Sequence, residues 1–186
     1  MVCKRMGVVF FSVTMAIFFS GCGYHNPNLR VDNTPSATLQ VAMWENHTNE
    51  LGLEAIFYQS ISDWFSKSRG LVLVDDPGKA EYVLSGSIVS SSSPALAYGL
   101  YERAKELRAI LTMDITLTHT KKVVWKQSRT IEEEPYKVEE DAVNTLRNKQ
   151  RAFLRISDKV AERLYFQTCT SIVELEKNQS SDPTGR

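Results

Sequence analysis

Cysteine is scarce in this chain of 186 residues: Cys3, Cys22 and Cys169 are all it has. That excludes a disulfide-stapled miniprotein. An excess of one charge is also missing, because 22 Lys+Arg stand against 22 Asp+Glu. Recognition of nucleic-acid phosphates needs a clustered basic surplus, so no nucleic-acid partner is expected. The longest apolar run, Met6 to Phe19, would rise only about 21 Å as a helix, short of the roughly 30 Å hydrocarbon core. A membrane-spanning helix is therefore not expected. His25, His47 and His119 are scattered, with no two at helix-face or finger spacing, so neither a metal site nor another cofactor is expected. No internal repeat is visible. What the chain does have is 42% hydrophobic residues, the composition of one ordinary folded domain whose core needs no staples.

The apolar run follows Lys4 and Arg5 and ends in small residues, which is the pattern of a secretory signal. Its end, Phe19-Ser20-Gly21-Cys22, resembles a bacterial lipobox, with Phe19 where an aliphatic residue is usual. The resemblance implies cleavage after Gly21 and acylation of Cys22. One acyl chain binds a membrane only marginally, whereas two or three anchor stably, so the mature protein should stay on the membrane. Gly23 stands where lipoproteins kept at the inner membrane commonly carry Asp, which implies the outer membrane, periplasmic side. Loss of residues 1–21 removes two bases and no acid, and leaves Cys169 as the one thiol, expected to behave as a small apolar residue.

Residues 22–37 are polar and proline-containing and read as a tether. From Thr38 the pattern turns to period two, with Leu39, Val41 and Met43 on one face of a strand. Leu51 to Ser68 places Leu53, Phe57, Ile61 and Phe65 on a helical stripe, and Gly70 is placed to end that helix in the left-handed conformation. A short apolar run, Leu71 to Val74, precedes turn residues. Three strands follow, over Ala80–Ser90, Ala109–Thr118 and Val123–Ile131, the last two joined as a hairpin. Ser91 to Glu106 reads as a long connection. A second helix runs from about Val138 to Thr168, with Glu139, Glu140 and Asp141 in its first turns. Residues 171–186 read as a disordered tail.

Two apolar helix stripes need an apolar sheet face, and the sheet offers one. The order therefore predicts an α/β (α+β) fold over residues 38–170: a two-layer sandwich, a mostly antiparallel sheet of four to five strands with both helices on one face. The other face is rich in Ser and Thr. Thr112, Thr116 and Thr118 would either meet water there or form a polar protein interface.

These features together resemble the LPS-assembly lipoproteins of the LptE type. The likeness lies in Cys22-Gly23-Tyr24-His25 after the signal, in Val41 to Asn46 leading into Leu51 to Glu54, in Ala80 to Ile88, and in Val123-Val124-Trp125 after the hairpin. It does not extend to Pro94–Arg108. The resemblance implies a sandwich seated in the lumen of the LptD-type outer-membrane β-barrel, where it assists the barrel's assembly and helps deliver lipopolysaccharide to the outer leaflet. Thr112, Thr116 and Thr118 would then face the barrel. The ligand's phosphates need cations, and Arg103, Lys105 and Lys137 converge at one sheet end if the strands form a meander. Tyr98, Leu100 and Tyr101 beside them offer apolar surface.

Two other classes compete. An enzyme would need a catalytic constellation, and the chain has no Gly-x-Ser-x-Gly elbow. Ser85-Gly86-Ser87 falls inside a strand, and the acids Glu132 to Glu134 and Glu139 to Asp141 read as a solvated face, so no catalytic residues and no enzyme activity are expected. A lipoprotein of another envelope secretion or assembly complex is the third class.

Overall fold

The period-two segments join into one sheet in the computed structural model, which describes residues 37–68, 70–98 and 104–180. In chain order the elements are β1 (Ala37–Val41), β2 (Glu45–Asn46), α1 (Leu53–Ser66), β3 (Leu71–Leu73), β4 (Tyr82–Ser92), β5 (Ala95–Tyr98), β6 (Ala104–His119), β7 (Lys122–Lys137) and α2 (Ala142–Ser180). Across the sheet β3, β1, β4, β6 and β7 lie side by side, while β2 continues the line of β1 along β4 and β5 continues that of β4 along β6.

The sheet is mixed rather than purely antiparallel. β1 runs parallel to both β3 and β4, whereas β4, β6 and β7 alternate in direction. A parallel neighbour requires a crossover, and α1 supplies it between β1 and β3. Thr120 and Lys121 close the β6–β7 hairpin with φ of 46° and 69°, the two positive values that a type I′ turn requires.

Register explains the core. Leu39 pairs with Tyr82, Val41 with Leu84, Leu84 with Leu117 and Ile88 with Met113, so these residues share one face, and all are buried. Leu53, Phe57, Ile61 and Phe65 of α1 and Phe153, Ile156, Val160 and Leu164 of α2 cover that face. The helices run parallel, with Ser60 Oγ 2.8 Å from Ser157 Oγ and the Trp64 indole donating to Asp158. This is the expected two-layer sandwich with both helices on one side.

Several local expectations are corrected. Met43 is exposed and the core position goes to Trp44, because β1 stops at Val41 and the link to β2 carries one residue more than β4 beside it: Val41 pairs with Leu84 but Glu45 with Ser87. α1 ends at Ser66 with Lys67 as its C-cap, so Gly70 lies beyond the helix end, and Gly52 at the N-terminus is left-handed. The connection from Ser91 to Glu106 contains the end of β4, β5 and the start of β6. α2 starts at Ala142, so Glu139 to Asp141 precede it, and Asp141 Oδ1 accepts from the Val143 amide at 2.9 Å. At its other end α2 continues to Ser180: residues 171–180, expected within a disordered tail, are helical because Ile172 is buried and Leu175 packs on the core. The signal segment, Cys22 and most of the tether lie outside the described residues.

Candidate functional site

The outer face of the sheet follows from the same register. Thr112, Asp114, Thr116 and Thr118 alternate with the buried Leu111, Met113, Ile115 and Leu117, and they are only partly covered. Thr116 pairs with Ser85 on β4 and with Lys126 on β7. Thr118 Oγ1 donates to the Val83 carbonyl at 3.4 Å, which uses its proton within the sheet. A hollow of about 260 Å³ opens here, lined by Glu45, Ser85, Ser87, Asp114, Thr116 and Lys126. Asp114 is tied down, because its Oδ1 accepts from the Arg129 amide at 2.7 Å where β7 bulges and Arg129 takes a φ of 53°. The face is less uniformly polar than the threonines suggest, since exposed Ile131 pairs with Thr112 and exposed Val123 with Thr118.

At the far end of the sheet from the hairpin, two of the three expected cations share one sheet end. Glu106 pairs with Lys137, and the Val138 amide donates to the Lys105 carbonyl at 2.9 Å, so Lys105 and Lys137 belong to the same end. Arg103, Leu100 and Tyr101 lie outside the described residues. Tyr98 is exposed there on β5.

α2 adds what sequence reasoning missed. Its residues Arg147, Arg151, Arg155, Lys159 and Arg163 recur every four positions, a spacing that keeps successive side chains adjacent along the helix. The last three turn onto β7. Arg155 Nε donates to Glu134 Oε1 at 2.6 Å and Lys159 Nζ to Glu134 Oε2 at 2.5 Å, while Arg163 pairs with Glu132. Burial alone would raise the Glu134 carboxyl, but the hydrogen bonds and charges of Lys159 and Arg155 outweigh it and hold it below the usual carboxylate range. Glu132 and Glu134 thus serve the seam between sheet and helix instead of forming a solvated face. Glu133, on the opposite face, pairs with Arg108 at 3.0 Å.

The first two members of that ladder are different. Arg147 donates to Asn144, and Arg151 has no carboxylate partner among the described residues. Arg151 and Arg155 wall a cleft of about 280 Å³ together with Glu106, Lys137, Glu139 and Asn148. Pro135 and Tyr136 also border it. Asn148 Nδ2 donates to the Lys137 carbonyl at 3.1 Å, which locks α2 to the end of β7. Lys105 does not line the cleft. The four-residue cationic spacing was the signal that could have revealed Arg151.

His47 contacts Glu45, and His119 stacks on Tyr82 with ring centroids 4.5 Å apart, so both are accounted for within the fold. Among the described residues no helix is long and apolar enough to cross a membrane.

Comparison with known proteins gives one family. Residues 36–168 match the model described as LptE, lipopolysaccharide-assembly. No curated protein matches the chain. Among solved structures, protein XCC0632 from Xanthomonas campestris is similar with a TM-score of 0.55 at 14% identity, over 76% of this chain and 89% of that one. The hypothetical protein CT253 from Chlamydia trachomatis gives 0.52 at 11% identity, over 74% and 99%. The rare lipoprotein B from Shewanella oneidensis gives 0.50 at 14% identity, over 74% and 98%. At these identities the structures share the fold.

Proposed function

The chain belongs to the LptE family of lipopolysaccharide-assembly proteins, and from that membership we propose that it is an outer-membrane lipoprotein, anchored through Cys22 on the periplasmic side, that plugs and helps assemble an LptD-type β-barrel and assists lipopolysaccharide delivery to the outer leaflet. The role is one of assembly and delivery, without catalysis. The observation that carries it is the family match over residues 36–168, which spans the sheet, α1 and all but about the last three turns of α2.

Two surfaces fit the parts of this task. The outer sheet face offers Thr112, Thr116 and Thr118 beside Ser85 and Ser87, short side chains on a surface that a polar barrel lumen can cover. At the opposite end Lys105 and Lys137, together with Arg103 as read from the sequence alone, offer charge-assisted hydrogen bonds to the phosphates of lipopolysaccharide. Tyr98 stands beside them as apolar surface.

Photocrosslinkers placed at Thr112 and Thr116 in intact cells test the barrel reading. They should capture one large outer-membrane β-barrel, while a crosslinker at Glu162 on the exposed side of α2 captures less of it. Capture from Glu162 alone would reverse the orientation, and capture of no barrel from any position would overturn the partnership.

A further inference from the structure

The β6–β7 turn lies beside the point where the tether enters the sheet, and Glu81 ties the two together. Its side chain accepts from the Thr38 amide at 3.3 Å at the start of β1, and its carbonyl accepts from the Thr120 amide at 3.1 Å in the turn. At the tip of this hairpin Lys121, Lys122 and Val123 stand exposed in succession, and neither lysine has a carboxylate partner among the described residues. α2 arrives at the same end, because it advances along β7 from Glu134 through Glu132 to Gln127, whose side chain donates to Gln167 at 2.8 Å. Beyond that bond Val173 is 60% exposed, two helical turns after the exposed Phe166 and on the same face. We propose that this corner rests on the anionic phospholipid leaflet that holds the anchor, with Lys121 and Lys122 among the headgroups and Val123 and Val173 against the acyl boundary. The inference rests on the Cys22 anchor of the reading above and adds a second membrane contact to it.

Chain length and charge both favour that surface. Residues 23–36 separate Cys22 from Ala37, so Ala37 stays within about 50 Å of the leaflet even at full extension. A corner tethered so closely meets the bilayer at an effective concentration on the order of millimolar. A weak contact is then enough. Each lysine near an anionic leaflet strengthens binding roughly fivefold, and long basic side chains keep their charge at the headgroups while apolar neighbours sink below it. The acid whose carbonyl holds the turn does not compete for the lysines, because the Glu81 carboxylate already serves the Thr38 amide. Lys126, further along β7, shares its hollow with Asp114 and Glu45 and belongs to the outer sheet face. Val143, equally exposed at the opposite end of α2, lies away from this corner and supplies a control.

The test uses the protein purified from the membrane fraction and reconstituted in vesicles of phosphatidylcholine, alone or mixed with phosphatidylglycerol. A photocrosslinker is placed at Val123 or, as control, at Val143, and captured phospholipid is measured by mass spectrometry. Capture from Val123 should exceed that from Val143 several-fold and should rise several-fold when phosphatidylglycerol is present. Reversing both charges, Lys121→Glu with Lys122→Glu, should cut capture from Val123 about tenfold, and the neutral pair Lys121→Asn with Lys122→Gln several-fold, with circular dichroism unchanged in both. If the protein floats with the vesicles, three results overturn the contact while leaving the anchor standing: equal capture from the two positions, equal capture in the two kinds of vesicle, or undiminished capture in both lysine variants. Capture of a second copy of the chain from Val123 in place of lipid makes the tip a self-contact and overturns the inference too. A protein whose Cys22 carries no acyl chain and that fails to float with the vesicles removes the anchor, and the inference falls with it.

Discussion

Gly86 lies directly beneath the indole of Trp44: a Cβ at Gly86 would sit 2.5 Å from Trp44 Cε2, closer than real side-chain atoms approach. The ring fills the space that the missing side chain leaves and stacks on Phe57 with centroids 4.9 Å apart. Gly86→Ala should therefore act as an overpacking mutation, costing about 1–3 kcal/mol in urea denaturation. The loss belongs to the pair, so Gly86→Ala in a Trp44→Leu background should cost clearly less than in wild type. Additive losses in that cycle would mean the two residues do not share the space.

Alternation made the Trp44–Gly86 relationship invisible. A strand carried through Met43 by period two puts Met43 inward and Trp44 outward, and only the break after Val41 reverses them. Where one face is fully buried the sequence is a reliable guide: Leu111, Met113, Ile115 and Leu117 interleave with polar residues and are buried as read, although the strand begins earlier, at Ala104. The helix stripe of α1 was legible for the same reason. The pattern fails on β7, where the positions facing α2 are Glu132 and Glu134, held by cations from a helix over twenty residues away. Long-range charge pairing leaves no local period. Likewise Lys105 and Lys137 were found because a meander brings strand ends together, whereas Arg151 required knowing which side of α2 borders the cleft.

The C-terminal turns of α2 contribute to the fold. Ile172 is 3% exposed and Leu175 packs against the core, although Glu174 and Glu176 beside them give the segment a disordered composition. Truncation after Thr170 removes one buried aliphatic side chain and part of another, each worth roughly 1.5–3 kcal/mol when fully buried. Thermal denaturation should show a lowered midpoint for that variant, and truncation after Ser180 should leave it unchanged. Equal midpoints for the two would show that the last turns carry no packing energy.

The anchor makes a separate prediction. Acylated Cys22 should be the first residue of the mature protein, and Cys22→Ala should leave the chain unprocessed or released from the membrane fraction. Two or more acyl chains hold a protein on a bilayer where one does not. Mass spectrometry of the membrane-extracted protein decides it: an unmodified N-terminus beyond residue 22 removes the lipidation.

Glu134 should make stability depend on acid. Its carboxyl is held below the ordinary value of about 4.3, because Lys159 and Arg155 bond its charged form more strongly than burial penalises it. A depressed folded-state value means the native state releases this proton more readily than the unfolded chain. The contribution is therefore complete above the ordinary glutamate value and is lost as pH falls through the lowered one. Both cations remain about half exposed, at 48% and 55%, so solvent screens them and the pair of bonds is worth about 1 kcal/mol rather than the full buried-pair value. Glu134→Gln should accordingly destabilise by that amount at neutral pH. It should also flatten the acid limb, so that wild type and variant converge as the wild-type carboxyl protonates. Urea denaturation of both proteins across the acid range measures the gap, and a gap that stays constant, or widens, as pH falls would show that the Arg155–Glu134–Lys159 seam does not carry the effect.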